Sequence, residues 1–389
     1  MTNSPISRAE MERRWALARD VVADLGVDAM VTQAREDWCG GYVRWLTDVP
    51  ANNGYPRTVV VFSDRPMEVV EMGAFGTDLT TDPDAQATAG VGRVLGTPSF
   101  VSINYTIDYD TELLLKLLRE AGARRVGLLA PGALPYSIVA GLEAAGFEVV
   151  DATDALDRVK APKSAEEQAL IRETALLQDK VFAEVCDFIR AGLTDRDVAA
   201  HAEAVGRRLG SDQGIQLGVS APMGQASRFR NRPFQTRDLA KGDHLSLLIE
   251  VNGPGGAYLE IARTMVLGKA DDYLLQAFEN VRAAQNHTLS LMVPGAAPAA
   301  IAAAHDDWMQ ARGLPAETRL YAHGQGCEMV ERPLIRRDET MPVAQDMLFA
   351  VHPGYDDGRV FAVICDNYLI GPDGPGDCLH QTEKKIFEL

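Results

Sequence analysis

Long apolar runs are missing from this chain of 389 residues. No stretch approaches the roughly 20 residues that a membrane-crossing helix needs, so no spanning helix is expected. Basic residues are outnumbered, 38 Lys and Arg against 55 Asp and Glu, for a formal net charge of -17. Such a surface repels phosphates, and no basic stripe compensates it, so neither nucleic acid nor an anionic membrane is an expected partner. Cysteine is scarce: Cys39, Cys186, Cys327, Cys365 and Cys378 are odd in number and unpatterned. That excludes a disulfide framework and fits a reducing cytoplasm. The opening MTNSPISRAEMERRW is polar and enters a helix at once, so a secretory leader is not expected either. Short repeats and low-complexity segments are absent too.

What is present suits two domains. In the first, residues 1–155, helix and strand patterns alternate. ISRAEMERRWALARDVVADLG puts Met11, Trp15, Ala18, Val22 and Leu25 on one helical face, with Ser7 and Glu10 at capping-box spacing. TVVVFSDRPMEVVEM reads as two strands around a turn, and DTELLLKLLREAGARRVGLLA as a helix, a glycine stop and a buried strand. Helices on the faces of a mixed sheet follow from this order. Pro162 then breaks the chain, and Ser164 and Thr194 start two amphipathic helices of a second domain, residues 156–389. Beyond residue 215 strands dominate, with helices between them.

Four pieces of that second half place polar groups in apolar runs: Glu250 in SLLIEVNGPGG, Glu260 in AYLEIARTMVLG, His352 in LFAVHPGY, and Cys365 with Asp366 in FAVICDNYLIG. His323 stands between glycines in YAHGQGCEMVERP. A carboxylate among core residues must be paired, ligated or protonated, because a bare buried charge is expensive. Each group alone also has a plain reading: a solvated edge glutamate, a packed histidine, an inert buried thiol, a structural Asp366. GPGG at 253–256 reads as a hairpin turn rather than a phosphate cradle, since no helix follows it.

In order, these pieces resemble the pita-bread family of methionine aminopeptidase, Xaa-Pro aminopeptidase, prolidase and creatinase. DLAKGDHLSLLIEVNGPGGAYLEIARTMVLG, HGQGCEMVERP, MLFAVHPGY and AVICDNYLIG are similar to the family's motifs. DWCGGYVRWLTDVP resembles a motif of the amino-terminal domain of creatinase and prolidase. The resemblance implies an α/β N-terminal domain, an α+β pita-bread catalytic domain and a homodimer. In such dimers a neighbour's N-terminal domain covers the site, where Trp38, Tyr42 and Trp45 could serve as pocket wall or as core.

Family peptidases hold two metal ions with two aspartates, a histidine and two glutamates. By position Glu250 and Glu260 replace the aspartates, His352 and Cys365 replace the glutamates, and His323 alone is retained. A histidine expected ahead of Glu331 is Val330, and GQASRFRNRPFQTRDL offers Arg228, Arg230 and Arg232 where a pocket histidine would stand. Two chemical readings follow. In the one taken as the expectation, no metal binds. His323, Glu250, Glu260 and His352 then perform acid–base hydrolysis of a C–N bond (amide, amidine or lactam) in a small zwitterion, while Arg228, Arg230 and Glu331 bind it. In the alternative, Glu260, His323, His352 and Cys365 hold one Zn, Mn or Fe ion in a peptidase-like hydrolase or a lyase. A non-catalytic binding protein on a peptidase scaffold is the rival from another class.

Overall fold

The structure, a computed structural model, describes residues 6–34, 40–52 and 54–389. Trp38 and Cys39 lie outside the described residues. Two compact units divide the chain, Met1–Lys160 and Ala161–Leu389.

The first unit contains α1 (Arg8–Asp24), β1 (Ala29–Ala34), α2 (Gly41–Thr47), β2 (Arg57–Val61), β3 (Met67–Met72), β4 (Asp78–Thr80), β5 (Val91–Thr97), α3 (Ile107–Glu120), β6 (Arg125–Leu128), α4 (Tyr136–Ala144), β7 (Glu148–Asp151) and α5 (Thr153–Lys160). The strands form one mixed sheet in the order β4-β5-β3-β2-β1-β6-β7. Leu114, Leu117 and Leu118 of α3 and Ile138 and Leu142 of α4 pack on Val31, Val60, Val70, Val126 and Leu128. Met11, Trp15, Ala18 and Val22 of α1 are buried as the helical period requires, whereas Leu25 caps the helix half-exposed. Ser7 Oγ accepts the Glu10 N–H, but the Glu10 carboxylate turns to Arg13 and Arg14. Trp45 is buried, and Tyr42 donates its hydroxyl to Asp157 at 2.7 Å.

The second unit opens with α6 (Ala165–Phe188) and α7 (Asp195–Arg208), each begun by a full capping box, Ser164 with Glu167 and Thr194 with Asp197. Then follow β8 (Gly214–Leu217), β9 (Ala221–Pro222), β10 (Asp243–Asn252), β11 (Tyr258–Val266), α8 (Asp272–Leu291), α9 (Pro298–Gln310), β12 (Ala322–Gly324), β13 (Glu331–Leu334), β14 (Leu348–Val351), β15 (Gly354–Asp356), β16 (Phe361–Val363), β17 (Asp366–Gly371), β18 (Gly374–Pro375) and β19 (Phe387–Glu388). One sheet runs β19-β11-β10-β8 with β9 beside β10, another β13-β12-β14-β17-β18, and β15 and β16 pair separately. The GPGG stretch is the turn of the β10–β11 hairpin, with Gly255 at φ 79 and Gly256 at φ 83, a backbone region that glycine reaches without strain.

Strand alternation divides labour on the hairpin. Leu245, Leu247, Ile249 and Val251 of β10, with Ile261 and Met265 of β11, pack against Val181, Phe182 and Val185 of α6 and Val198, Ala202 and Val205 of α7. Leu248 and Ala262 point the other way, to Cys365. The second sheet is backed by α8 and α9, whose Phe278, Val281, Ile301 and Met309 are buried. Among the described residues the two sheets meet at an antiparallel bridge, Ala262 to Cys365, and the Tyr258 N–H of β11 also donates to the Gly326 carbonyl beyond β12. Beside the bridge Arg263 and Asp366, both fully buried, form an ion pair at 2.6 Å. Among the described residues no helix is long and apolar enough to cross a membrane, and Cys186, Cys365 and Cys378 are free thiols.

Candidate metal and acid–base site

Hairpin register sets Glu250 of β10 directly opposite Glu260 of β11. Since neighbouring residues face the helices, both carboxylates emerge on the face turned to the second sheet, and both are buried. On that sheet β12 pairs with β14, matching His323 with Ala350, and the chain leaves β14 directly into His352. The bridge at Ala262 and Cys365 holds the two sheets in this register. Glu260, His323 and His352 thereby each offer one ligand atom within 4.8 Å of the others.

His323 Nδ1 donates to the Gly324 carbonyl at 2.9 Å, which in the neutral ring leaves the lone pair on Nε2. That Nε2 lies 3.2 Å from Glu260 Oε1, and Nε2 of His352 lies 3.5 Å from the same oxygen. Glu260 Oε1 and His352 Nε2 are buried and have no hydrogen-bond partner. Buried acceptors left facing one another are costly unless a cation joins them. Two imidazoles and a carboxylate are the donors a borderline divalent ion takes, so the residues present fit such an ion. Burial pushes His352 down to about 4, helped by His323 and Arg319, so it is neutral and able to ligate at neutral pH.

The two glutamates differ. Burial, then the charge of Glu260, raises Glu250 well above the usual carboxylate range, against one hydrogen bond from Gln325 at 3.0 Å. Burial acts the same way on Glu260, but His352, His323 and the Cys365 thiol outweigh it and hold Glu260 down. The two carboxyls that face each other across the hairpin are thus pushed in opposite directions.

The other candidates stand apart. Cys365 is not in the converging set: its Sγ donates to the Glu260 main-chain oxygen at 3.5 Å, and burial with the nearby carboxylates keeps it a thiol. Arg228 is exposed and paired with Asp356, and Arg230 lies over the Phe234 ring at 5.5 Å. Neither hydrogen-bonds to Glu250, Glu260, His323 or His352, because Phe229 between them takes the inward side, beside Leu248 and Cys365. The Glu331 carboxylate is buried against Lys163 Nζ at 2.9 Å, a charge pair in place of the open substrate contact expected of it. Gly326 sits over this pair, where a Cβ would come within 2.6 Å of Lys163 Nζ. Asp366 is structural, as its plain reading held.

Sequence reasoning passed over Gln325, Asn367 and Arg319. Asn367 Oδ1 accepts the Glu260 N–H at 2.8 Å, and Asn367 Nδ2 donates to Gln325 Oε1 at 2.7 Å. Arg319 donates to the His352 carbonyl at 3.1 Å while paired with Glu317. Gln325 and Asn367 carried the signal that picked out Glu250, a polar side chain inside an apolar or glycine-rich strand motif.

The family described as metallopeptidase family M24 matches residues 169–372, just over half of the chain. A probable dipeptidase PepE of Mycobacterium bovis is 29% identical over 248 residues, 61% of this chain. That match spans 64% of the relative's own length. An Xaa-Pro dipeptidase of Pyrococcus furiosus is 21% identical over 66% of this chain and 74% of its own. The crystal structure of an X-Pro aminopeptidase from Thermotoga maritima superposes with a TM-score of 0.78 at 16% identity, covering 97% of this chain and 99% of that one. For the dipeptidase PepE of Mycobacterium ulcerans the TM-score is 0.77 at 20% identity, with 98% and 99% covered. At such identities the superpositions speak to fold, and the fold is the pita-bread arrangement with its preceding α/β unit.

Proposed function

Since the chain belongs to metallopeptidase family M24, we propose that it hydrolyses the C–N bond of a small, dipeptide-like polar molecule with the help of a divalent ion held by Glu260, His323 and His352. The observation that carries this reading is the convergence of three buried donor atoms, two of them without any partner. The dipeptidases among the relatives support a short peptide-like substrate.

When bound, a divalent ion at this place polarises a carbonyl oxygen and lowers the pKa of water. The protein's own groups supply the rest. Glu250, raised by burial and by the charge of Glu260 opposite it, is the group assigned to pass a proton to a leaving nitrogen. Buried Leu248 and Ala262, two positions from Glu250 and Glu260 on their strands, dry the floor beside the carboxylates, which strengthens every charge interaction there. His323 is held in one tautomer by its bond to Gly324, so its free nitrogen always faces Glu260.

One feature favours the metal-free acid–base reading as a second reading: Glu250 and Glu260 stand directly opposite on the hairpin, and the charge of Glu260 helps to raise Glu250 without any ion. A panel of dipeptides, small amides and amidines, assayed after chelation and again with Mn or Zn restored, separates the two. Turnover of dipeptides that needs the ion supports the proposal. Turnover of amides or amidines that survives chelation replaces it with the metal-free hydrolase, and tight ligand binding without any turnover would make the protein a binding module.

A further inference from the structure

Resting on the metal-assisted reading and going beyond it, we infer that this site takes one divalent ion per chain, and that the side-chain amides of Gln325 and Asn367 close the place beside Glu250 where a second ion would sit. The argument starts from a main-chain donor. The Glu260 N–H can only donate, so the Asn367 atom 2.8 Å from it is the carbonyl oxygen Oδ1. The other end of that amide is then Nδ2, which donates to Gln325 Oε1 at 2.7 Å and to the Phe349 carbonyl at 3.3 Å. Gln325 in turn must present Nε2, not oxygen, to Glu250 Oε1, at 3.0 Å. Each amide orientation is thus fixed by the one before it, back to the backbone of β11.

The consequence is electrostatic. An ion beside Glu250 would meet the hydrogens of an amide NH2, which repel a cation and cannot ligate it. Gln325 and Asn367 are fully buried and Glu250 nearly so, so turning either amide would leave a buried donor or acceptor unsatisfied, which is costly. Cys365, the remaining donor at this junction, has its Sγ engaged with the Glu260 carbonyl and stands outside the converging set. What is left is a three-ligand, open-sided site, two imidazoles and one carboxylate, suited to Zn, Mn, Co or Fe(II). Gln325 and Asn367 are positioning residues: they touch no ligand atom of the ion but decide how many ions fit.

The test is elemental analysis of the full chain, stripped by chelator and dialysed against Co(II) or Mn(II), with affinity from calorimetry. About one ion per chain is expected. His352→Ala should weaken it by more than about 100-fold, beyond what loss of an outer partner does. Glu250→Gln and Cys365→Ser should each leave Kd within about threefold, under 1 kcal/mol. Two ions per chain, or loss of the ion in Glu250→Gln, would overturn the inference while leaving metal-assisted hydrolysis standing. A thiolate charge-transfer band in the Co(II) spectrum that disappears in Cys365→Ser would overturn it as well. No bound ion at all would sink both this inference and the metal-assisted function, so the two failures are distinguishable.

Discussion

Replacing Asp366 by Asn should loosen the junction on which the site depends. The Arg263 guanidinium is fully buried and makes five bonds: to the carbonyls of Glu383, Ala262, Cys365 and Thr382, and to Asp366 Oδ1 at 2.6 Å. Four of these partners are neutral, so Asp366 alone in that set balances the charge. Asn keeps the shape and an oxygen but removes the counter-charge, and an uncompensated buried charge costs about 3–5 kcal/mol. For a unit of this size that corresponds to a fall in Tm of ~10 °C. Burial would raise Asp366, but Arg263 and Lys384 outweigh it and hold its pKa below the ordinary 3.8. A depressed folded-state pKa stabilises fully above the unfolded value and is lost as pH falls through the folded one. Wild type and Asp366→Asn should therefore differ most at neutral pH and draw together in acid. Urea unfolding of both proteins across pH 2–7 measures this. A loss below about 1 kcal/mol at pH 7, or a gap that persists undiminished in acid, would refute the reasoning.

Asp110, nearly fully buried with Gln33 Nε2 at 3.3 Å, is raised by burial from 3.8 to about 6. A raised acid stabilises below its unfolded pKa and loses that contribution as pH climbs through the folded value. Wild type should lose on the order of 3 kcal/mol between those two pH values, and Asp110→Asn should abolish the slope in pH-dependent denaturation. Arg319→Ala removes the donor to the His352 carbonyl and should weaken ion binding by roughly 10–100-fold in calorimetry, with far-UV circular dichroism unchanged. Thr194→Ala removes the hydroxyl that caps α7 and should cost about 1 kcal/mol in urea unfolding, with ion affinity intact.

Local chemistry made much of the molecule legible in its sequence. The helices begun by Ser164 and Thr194, the β10–β11 turn, and the buried face of α1 follow from caps, glycines and apolar periodicity, which act over a few residues. Glu250, Glu260, His323 and His352 could be singled out the same way, as polar groups in apolar company. Arg228 and Arg230 show the limit: arginines near a site motif do not reveal which side of their segment faces inward, and Phe229 took that side. Glu331 shows another, since its partner Lys163 lies 168 residues away.

What the sequence by itself determined is the inventory of elements and the list of groups that must be satisfied once buried. Which group satisfies which was decided by tertiary structure. Glu250 meets Glu260 through hairpin register, and His323 and His352 join them because a bridge, Ala262 to Cys365, and a buried ion pair, Arg263 with Asp366, lock two sheets together. The choice between ligand and bystander at Cys365, and between donor and acceptor at Gln325, depends on distances of a few ångströms between strands far apart in the chain. Local propensity carries no information about those distances, and packing of the two sheets sets them.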